Sequence, residues 1–389
     1  MKVISIDRDK DRKIFEAGDP ARERMIAYGA QMEELHMVFF VLKKYGLQTI
    51  AIAPNVFIYP TNSTSRWLFL WDAIVLGKKI VRENKFIRGS AVVTAQDPFE
   101  CGFVAWRISK YFRIPLQLQV HTDFLSQYFQ TSLLQKMRVW MAKFLIPRAT
   151  MVRVVSVRIA ESFKNAGLIP KQPVKILPIR IDVESVMSGE QSQEHTDLKK
   201  KFPQFKFIVL MASRLTSEKR VGDAITAFAR QASHYPYLGL IIAGKGSERE
   251  HLQRLAKQIG IDDKVIFLGF RRDVLSLMKS ADMFLSTSEY EGYGMSLVEA
   301  GLHRLPVVCT DVGLSGELLI HKKNAYVCPV GDVECISSGI GALLGNNALR
   351  IDLGRTLYAD IVQRIPTKET YVSSYIALLE EASRENTQQ

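Results

Sequence analysis

The 389-residue chain is poor in cysteine and has no long apolar run. Its four cysteines, Cys101, Cys309, Cys328 and Cys335, form no Cys-x-x-Cys pair and have no His-rich companion. That pattern argues against a zinc site or a disulfide framework. All four are expected to be small buried apolar residues in a reducing compartment. A membrane span needs about 18 apolar residues, and the best candidate, Trp67 to Leu76, is interrupted by Asp72. The first apolar run, Val3 to Ile6, is too short for the core of a secretion signal. A cytoplasmic protein is therefore expected, with peripheral contact at the inner face of a membrane left open. Low-complexity tracts and short-period repeats are also missing.

What is present is ordinary in amount and uneven in place. A charged fraction of 24% and a hydrophobic fraction of 47% are those of a soluble globular protein. Residues 1–180 hold 28 Lys and Arg against 14 Asp and Glu, so the whole net charge of +12 comes from the first half. A basic half suits an anionic partner, either a phosphorylated acceptor, a phospholipid surface or nucleic acid, or it serves only solubility. The length predicts two domains of about 180 to 200 residues each.

Short β-rich runs alternate with helical patterns, the signature of parallel βαβ units. Strands are expected at Val3–Ile6, Thr49–Ala53, Ala91–Ala95, Leu116–Val120, Met151–Val155 and Val174–Leu177, with a long helix over Arg22–Tyr45 and shorter ones over Phe99–Tyr111 and Leu133–Phe144. The pattern pauses in the polar stretch Ser188–Lys201, then restarts with strands at Phe207–Ser213, Leu238–Ala243, Val265–Leu268, Asp282–Ser286, Pro306–Thr310 and Ala325–Cys328. The fold class is therefore α/β, with two tandem Rossmann-like, doubly wound domains at 1–185 and 186–365. A final helix in 366–389 is expected to cross back to the first domain.

The most informative stretch runs from Ser286 to Asp311. A strand leads into a polar loop carrying Glu289 and Glu291, and Gly292 and Gly294 then allow a tight path into a helix starting near Met295. In open α/β sheets that edge receives ligands, and amides at a helix start favour an anion such as phosphate. Glu291 and Glu299, at different depths, suit sugar or ribose hydroxyls. Solvated loop and helix-surface carboxylates are the plainer reading.

These residues resemble the retaining glycosyltransferases of the GT-B fold, family 4. The Glu291 and Glu299 pair matches that family's E-x7-E motif within Ser288-Glu-Tyr-Glu-Gly-Tyr-Gly-Met-Ser-Leu-Val-Glu-Ala-Gly301, and Ser213-Arg-Leu-Thr-Ser-Glu-Lys219 matches its diphosphate-holding segment. Ala243-Gly-Lys-Gly246, Phe267-Leu-Gly-Phe270 and the loop Gly313–Glu317 fall in the family's order. The resemblance implies a nucleoside-diphosphate sugar as donor and no cofactor or metal. It assigns donor binding to Arg214, Lys219, Gly244, Phe270, Glu291, Gly292, Tyr293, Gly294, Met295, Ser296, Leu297 and Glu299, with catalytic roles for His121, Glu291, Arg214 and Lys219; Gly18, in a loop that departs from the family, is expected to let the backbone approach the donor as well. Arg214 and Lys219 would stabilise the departing diphosphate, Glu299 would grip the ribose and Glu291 would hold the sugar.

In the first half, Gln119-Val-His-Thr-Asp-Phe124 resembles the family segment whose histidine approaches the donor sugar, though His121 also reads as a hydrogen-bonded structural residue. Asp97 is expected on the acceptor side or as a helix cap. The family's first-loop glycine pair is missing; Glu16–Met25 offers Gly18, Arg22 and Arg24 instead, the arginines being either acceptor-side contacts or exposed first-turn residues. Arg180 stands where a glycine is common. The implied partners are a nucleotide sugar and a glycan or lipid-linked acceptor, with nucleic acid disfavoured. The segment Leu133–Arg148 mixes Trp140 and Phe144 with Lys136, Arg138 and Lys143, which fits an anionic bilayer surface or a crossover helix. The Trp67–Trp71 cluster offers a second such surface. A non-catalytic sensor of nucleotide sugars is the rival reading.

Overall fold

The structure is a computed structural model that describes residues 1–8, 12–188 and 195–384. It divides into two compact units, one formed by Met1–Ile179 together with the segment from Pro366, the other by Arg180–Ile365. The polar stretch Ser188–Lys201 is described only at its ends, because residues 189–194 lie outside the described residues.

The first unit runs β1 (Lys2–Asp7), α1 (Pro20–Gly29), β2 (Glu34–Phe39), β3 (Ile50–Ala53), β4 (Val56–Pro60), α2 (Phe69–Glu83), β5 (Ala91–Ala95), α3 (Glu100–Phe112), β6 (Leu116–Val120), α4 (Leu133–Leu145), β7 (Met151–Val154), α5 (Val157–Asn165) and β8 (Lys175–Ile176). Its sheet has the order β3-β4-β2-β1-β5-β6-β7-β8, parallel except for the β3–β4 pair. Strands such as Ala91–Ala95 are buried along their whole length because helices cover both faces of a parallel sheet.

The long helix expected over Arg22–Tyr45 does not form. Helix α1 ends at Gly29, and Glu34–Phe39 becomes an inner strand between β1 and β4. Asn55 enforces the stop by donating from Nδ2 to the carbonyls of Gly29 and Met32 at 2.8 and 3.0 Å. A Cβ at Gly29 would lie 2.1 Å from a Val56 methyl, so the chain turns where only glycine fits. Beyond it the run Leu35–Val41 is rich in β-branched and aromatic residues, and burial on both faces overrides a helical reading.

The second unit comprises α6 (Val183–Ser188), α7 (Leu198–Lys201), β9 (Phe207–Ala212), α8 (Val221–Ala232), β10 (Leu238–Ala243), α9 (Arg249–Ile259), β11 (Val265–Gly269), α10 (Val274–Ser280), β12 (Met283–Ser286), α11 (Met295–Leu302), β13 (Val307–Thr310), β14 (Tyr326–Cys328), α12 (Val333–Gly345) and α13 (Asn347–Arg364). The sheet order β11-β10-β9-β12-β13-β14 reverses direction between β9 and β12, and such a switch point opens a crevice at the carboxyl ends of the two strands. A continuous core under it includes Val209, Ile225, Phe228, Ile242 and Ile336.

Helix α14 (Lys368–Arg384) belongs to the first unit. Tyr371, Val372, Tyr375, Ile376 and Leu379 join the core around Val3, Met37 and Val92. Arg153, 3% exposed on β7, secures it by donating to Tyr371 Oη at 2.9 Å, to the Leu177 carbonyl at 2.9 Å and to Gln119 Oε1 at 2.6 Å. Gln119 in turn donates to Tyr375 Oη at 3.0 Å.

The expectation of four reduced cysteines fails at one pair. Cys328 at the end of β14 and Cys335 in the first turn of α12 form a disulfide with Cα atoms 5.7 Å apart, while Cys101 and Cys309 are free and buried. The turn between strand and helix brings the two together, a closure that spacing in sequence does not reveal. Among the described residues no helix is long and apolar enough to cross a membrane.

Candidate functional site

The switch point of the second unit gathers most of the residues singled out above. Strand β9 ends at Ala212 and leads into Arg214 and Lys219; β12 ends at Ser286 and leads into Thr287–Gly294. Thr287 binds the two segments together, its Oγ1 donating to the carbonyls of Lys219 and Arg220 at 3.0 Å each. The Glu289 amide adds a 2.9 Å bond to the Glu218 carbonyl, and Thr310 Oγ1 holds the Ser288 carbonyl at 2.6 Å. The loop is thereby fixed from three strands before any ligand is considered.

Within this frame the Lys219 ammonium forms an ion pair with Glu291 Oε1. Ser288 Oγ donates to the same oxygen at 2.8 Å. Arg214, largely exposed, pairs with Glu218 at 3.0 Å. Glu289 is more than a loop carboxylate: Arg220 lies 3.7 Å from it and also binds Asp223 at 2.7 Å. Burial pushes Glu289 above the ordinary carboxylate range, with the Arg220 charge opposing it.

Gly294 stands at the N-terminal cap of α11 with φ of 95°, a left-handed conformation that favours glycine, and no side chain caps the helix. Its first-turn N–H groups at Met295 and Ser296 point the positive end of the helix dipole into the switch-point crevice. Leu297 is buried and anchors that turn, and the Gly313 loop packs on it, since the Leu314 amide bonds the Tyr293 carbonyl at 3.1 Å. Tyr293 and Gly292 are buried beside Glu291.

Glu299, farther along α11, makes no side-chain hydrogen bond or ion pair among the described residues, and burial alone raises it to about 7. A half-buried carboxylate without donors is an unfilled acceptor site. On the opposite strand, Gly244 and Gly246 let the loop after β10 lie against the loop after β9. A Cβ at Gly246 would sit 2.0 Å from the Leu215 carbonyl, and one at Gly244 1.8 Å from that of Ser213. The Leu215 amide then bonds the Lys245 carbonyl at 3.0 Å, which fixes the segment carrying Arg214. Phe270 is exposed just past β11 with Lys245 Nζ 5.0 Å from its ring centre, while Arg271 is turned into a pair with Asp273 at 2.7 Å.

The remaining residues lie in the first unit, whose sheet switches direction at β1. Asp97, after β5, accepts from the amides of Phe99 and Cys101 at 2.8 and 3.2 Å, so it caps α3, and burial raises its pKa. His121, after β6, donates from Nε2 to Gln96 Oε1 at 3.2 Å. Burial, reinforced by the charges of Arg153 and Arg24, lowers it to about 3, so the imidazole is neutral. Arg22 and Arg24 project from the first half of α1, half-buried and with no carboxylate partner among the described residues. Gly18 is exposed, with φ of 82° in a turn and open space around it.

Ser288, Thr287 and Glu218 were not singled out from sequence. A short polar residue three positions before a carboxylate, and an acid four after an arginine, were the available signals. Among the described residues no group of three or more His, Cys, Asp or Glu is placed to hold a metal ion.

Residues 192–359 match the family described as glycosyl transferases group 1. The chain is 29% identical over 196 residues to N-acetyl-alpha-D-glucosaminyl L-malate synthase of Bacillus anthracis, covering 50% of this chain and 51% of that protein. It thus spans about half the length of the curated relatives it matches. Anabaena HepE, solved with UDP and glucose, superposes with a TM-score of 0.74 at 20% identity, covering 98% of this chain and all of that one. The sucrose-phosphate synthase of Thermosynechococcus elongatus superposes with a TM-score of 0.78 at 17% identity over 98% of each chain. At such identity the superpositions establish fold.

Proposed function

From the premise that the chain has the GT-B glycosyltransferase fold and that its residues 192–359 match glycosyl transferases group 1, we propose that it transfers a sugar from a nucleoside-diphosphate donor to a hydroxyl of a glycan or lipid-linked acceptor, with retention of anomeric configuration. Synthesis of a surface polysaccharide or glycolipid is the setting this serves. The observation that carries the reading is the set of groups at the β9/β12 switch point: Lys219 paired with Glu291, Arg214 beside it, and Glu299 with an empty carboxylate.

Each group has a part. The α11 amides with Arg214 and Lys219 bind the diphosphate, their fixed charges leaving no step that calls for a metal. Glu299 accepts from the ribose hydroxyls, trading its lack of donors for two hydrogen bonds. Glu291, held by Ser288, fixes sugar hydroxyls near the anomeric carbon. The bond from that carbon to the phosphate oxygen breaks as the acceptor oxygen attacks the same face, and the acceptor proton passes to the departing phosphate. Positive charge at the leaving group is where transition-state stabilisation is greatest. On the first unit, neutral His121 offers a hydrogen bond without adding charge, and Arg22 and Arg24 suit an acceptor bearing an anionic group.

The test is release of nucleoside diphosphate from a panel of nucleotide sugars with membrane extract as acceptor source, followed by NMR of the product's anomeric proton. Turnover of one donor with retained configuration is expected, abolished in Glu291→Ala. Absence of turnover with every donor, and a Glu291→Ala protein indistinguishable from wild type, would sink the proposal.

A further inference from the structure

Three of the four tryptophans do not lie where burial would put them. Trp67, Trp71 and Trp140 are 94%, 68% and 67% exposed, and Leu133 is 86% exposed. Isolated apolar residues on a surface are ordinary, but four large ones so exposed on a single helical layer are not. All four belong to one layer of the first unit, in which α3 packs against α2 on one side and α4 on the other.

Each outer helix has two apolar faces. Helix α4 turns Val139, Ala142 and Leu145 into the core, and turns Leu133, Met137 and Trp140 outward at helical spacing. Helix α2 buries Ala73, Gly77, Ile80 and Val81, and presents Trp71 and Val75 outward. The inward stripe satisfies the crossover role, so the outward one has no structural task. Across α3 and α4 the outward rings touch in series: Phe103 to Trp106 at 5.8 Å, Trp106 to Phe144 at 5.3 Å and Phe144 to Trp140 at 6.0 Å.

Basic side chains are interleaved with these rings. Arg148 lies 3.8 Å over Phe144, Lys110 5.3 Å from Trp106 and Lys78 4.0 Å over Tyr111. The three helices together hold eight Lys and Arg against three Asp and Glu. Glu100, one of the three acids, is already engaged by Arg138 at 2.7 Å.

We propose that this α2–α3–α4 face is a docking surface for an anionic phospholipid bilayer. Tryptophan and leucine side chains standing proud of the surface suit insertion to headgroup depth, and the lysines and arginines around them meet lipid phosphates. A second copy of the chain is disfavoured because it would set like charges face to face. Nucleic acid is disfavoured because the most exposed tips, Trp67 in the turn before α2 and Leu133 at the start of α4, are apolar. The proposal goes beyond sugar transfer, and vesicle binding without any donor tests it separately.

The experiment is flotation of the full chain with phosphatidylcholine vesicles, with and without phosphatidylglycerol, at low and high salt. Wild type should float with the anionic vesicles only, lose binding at high salt and shift its tryptophan emission to the blue. A Trp67→Ser/Trp71→Ser/Trp140→Ser variant should lose at least about tenfold in partitioning, each aromatic tip contributing apolar burial. A Lys78→Glu/Lys79→Glu/Lys143→Glu variant should lose about fivefold or more per charge. The replaced side chains are exposed except Lys78, which is half-buried against Tyr111, so the tryptophan variant should keep the wild-type melting temperature; if either variant does not, the blue shift and salt dependence of wild type still decide. Failure of wild type to float on anionic vesicles, or undiminished flotation of both variants, overturns the proposal. So does a dimer dispersed by the tryptophan substitutions, or DNA binding, when either occurs without flotation.

Discussion

The two sheet edges use the same ingredients in opposite ways. In the second unit the charged groups at the switch point are paired with one another across short loops, Lys219 with Glu291 and Arg214 with Glu218, while Glu299 has no side-chain donor among the described residues. In the first unit several polar groups at the edge serve the fold: Asp97 caps α3, one nitrogen of His121 bonds Gln96, and Arg153 ties α14 to the sheet. What is left over there is cationic, Arg22 and Arg24. One edge is a set of paired charges around one unmet carboxylate, the other a structural junction with a basic lip.

Substitutions can sharpen or break this contrast, and the largest effect belongs to the paired charges. Lys219→Ala should lower kcat/KM about 10²- to 10³-fold, the usual consequence of losing one group that stabilises developing charge, with little change in melting temperature. Steady-state release of nucleoside diphosphate checks it. A large loss of stability instead would mean the ion pair is structural and the contrast false. Arg153→Met is the mirror case. It leaves the Leu177 carbonyl and Gln119 without their donor, at a cost of about 2 to 3 kcal/mol in unfolding by denaturant, while nucleotide affinity of the second unit stays unchanged.

Glu299 gives the next largest effect and a pH signature. Burial raises its folded pKa to about 7 from a model-compound value of 4.5. The folded state therefore holds a proton the unfolded state has released, so stability is intact below about pH 4.5 and falls as the pH rises to about 7. Glu299→Gln should flatten that slope, melting higher than wild type at pH 8 and equally at pH 4, and should weaken nucleotide binding about tenfold. Equal melting curves at both pH values would show that the carboxylate is solvated. The smallest effect is expected at the basic lip: Arg24→Ala should raise acceptor KM about three- to tenfold with donor KM unchanged. A change in donor KM alone would reverse that assignment.

Legibility from sequence followed the same divide. The second unit's strands could be placed because each apolar run is bounded by polar loops, and Glu291 and Glu299 stood out because the glycines around them mark a tight strand-to-helix path. The groups that hold the Glu291 loop were hidden, since Thr287 bonds the Lys219 and Arg220 carbonyls and Ser288 the Glu291 carboxylate, contacts that only the fold brings about. In the first unit the Glu34–Phe39 strand was read as helix because periodicity cannot separate a doubly buried strand from a buried helix, and the signal that decides it, Asn55, lies beyond the segment. The disulfide was missed for a related reason, the seven-residue separation of Cys328 and Cys335 having no standard motif. Segment Leu133–Arg148 left two readings open, and both of its faces are apolar: one lies in the core, the other is exposed.

The return of α14 to the first unit sets an order of assembly. Residues 180–365 are continuous in sequence, whereas the core of the first unit is completed by Tyr371, Tyr375 and Leu379. During synthesis from the amino terminus, the second unit has its whole chain before the first has its last helix. Until then the aromatic slot beside Val3 and Met37, together with the unfilled bonding capacity of Arg153 and Gln119, stands open to chaperones and proteases, so truncation just before α14 exposes the protein's earliest-made part rather than its latest.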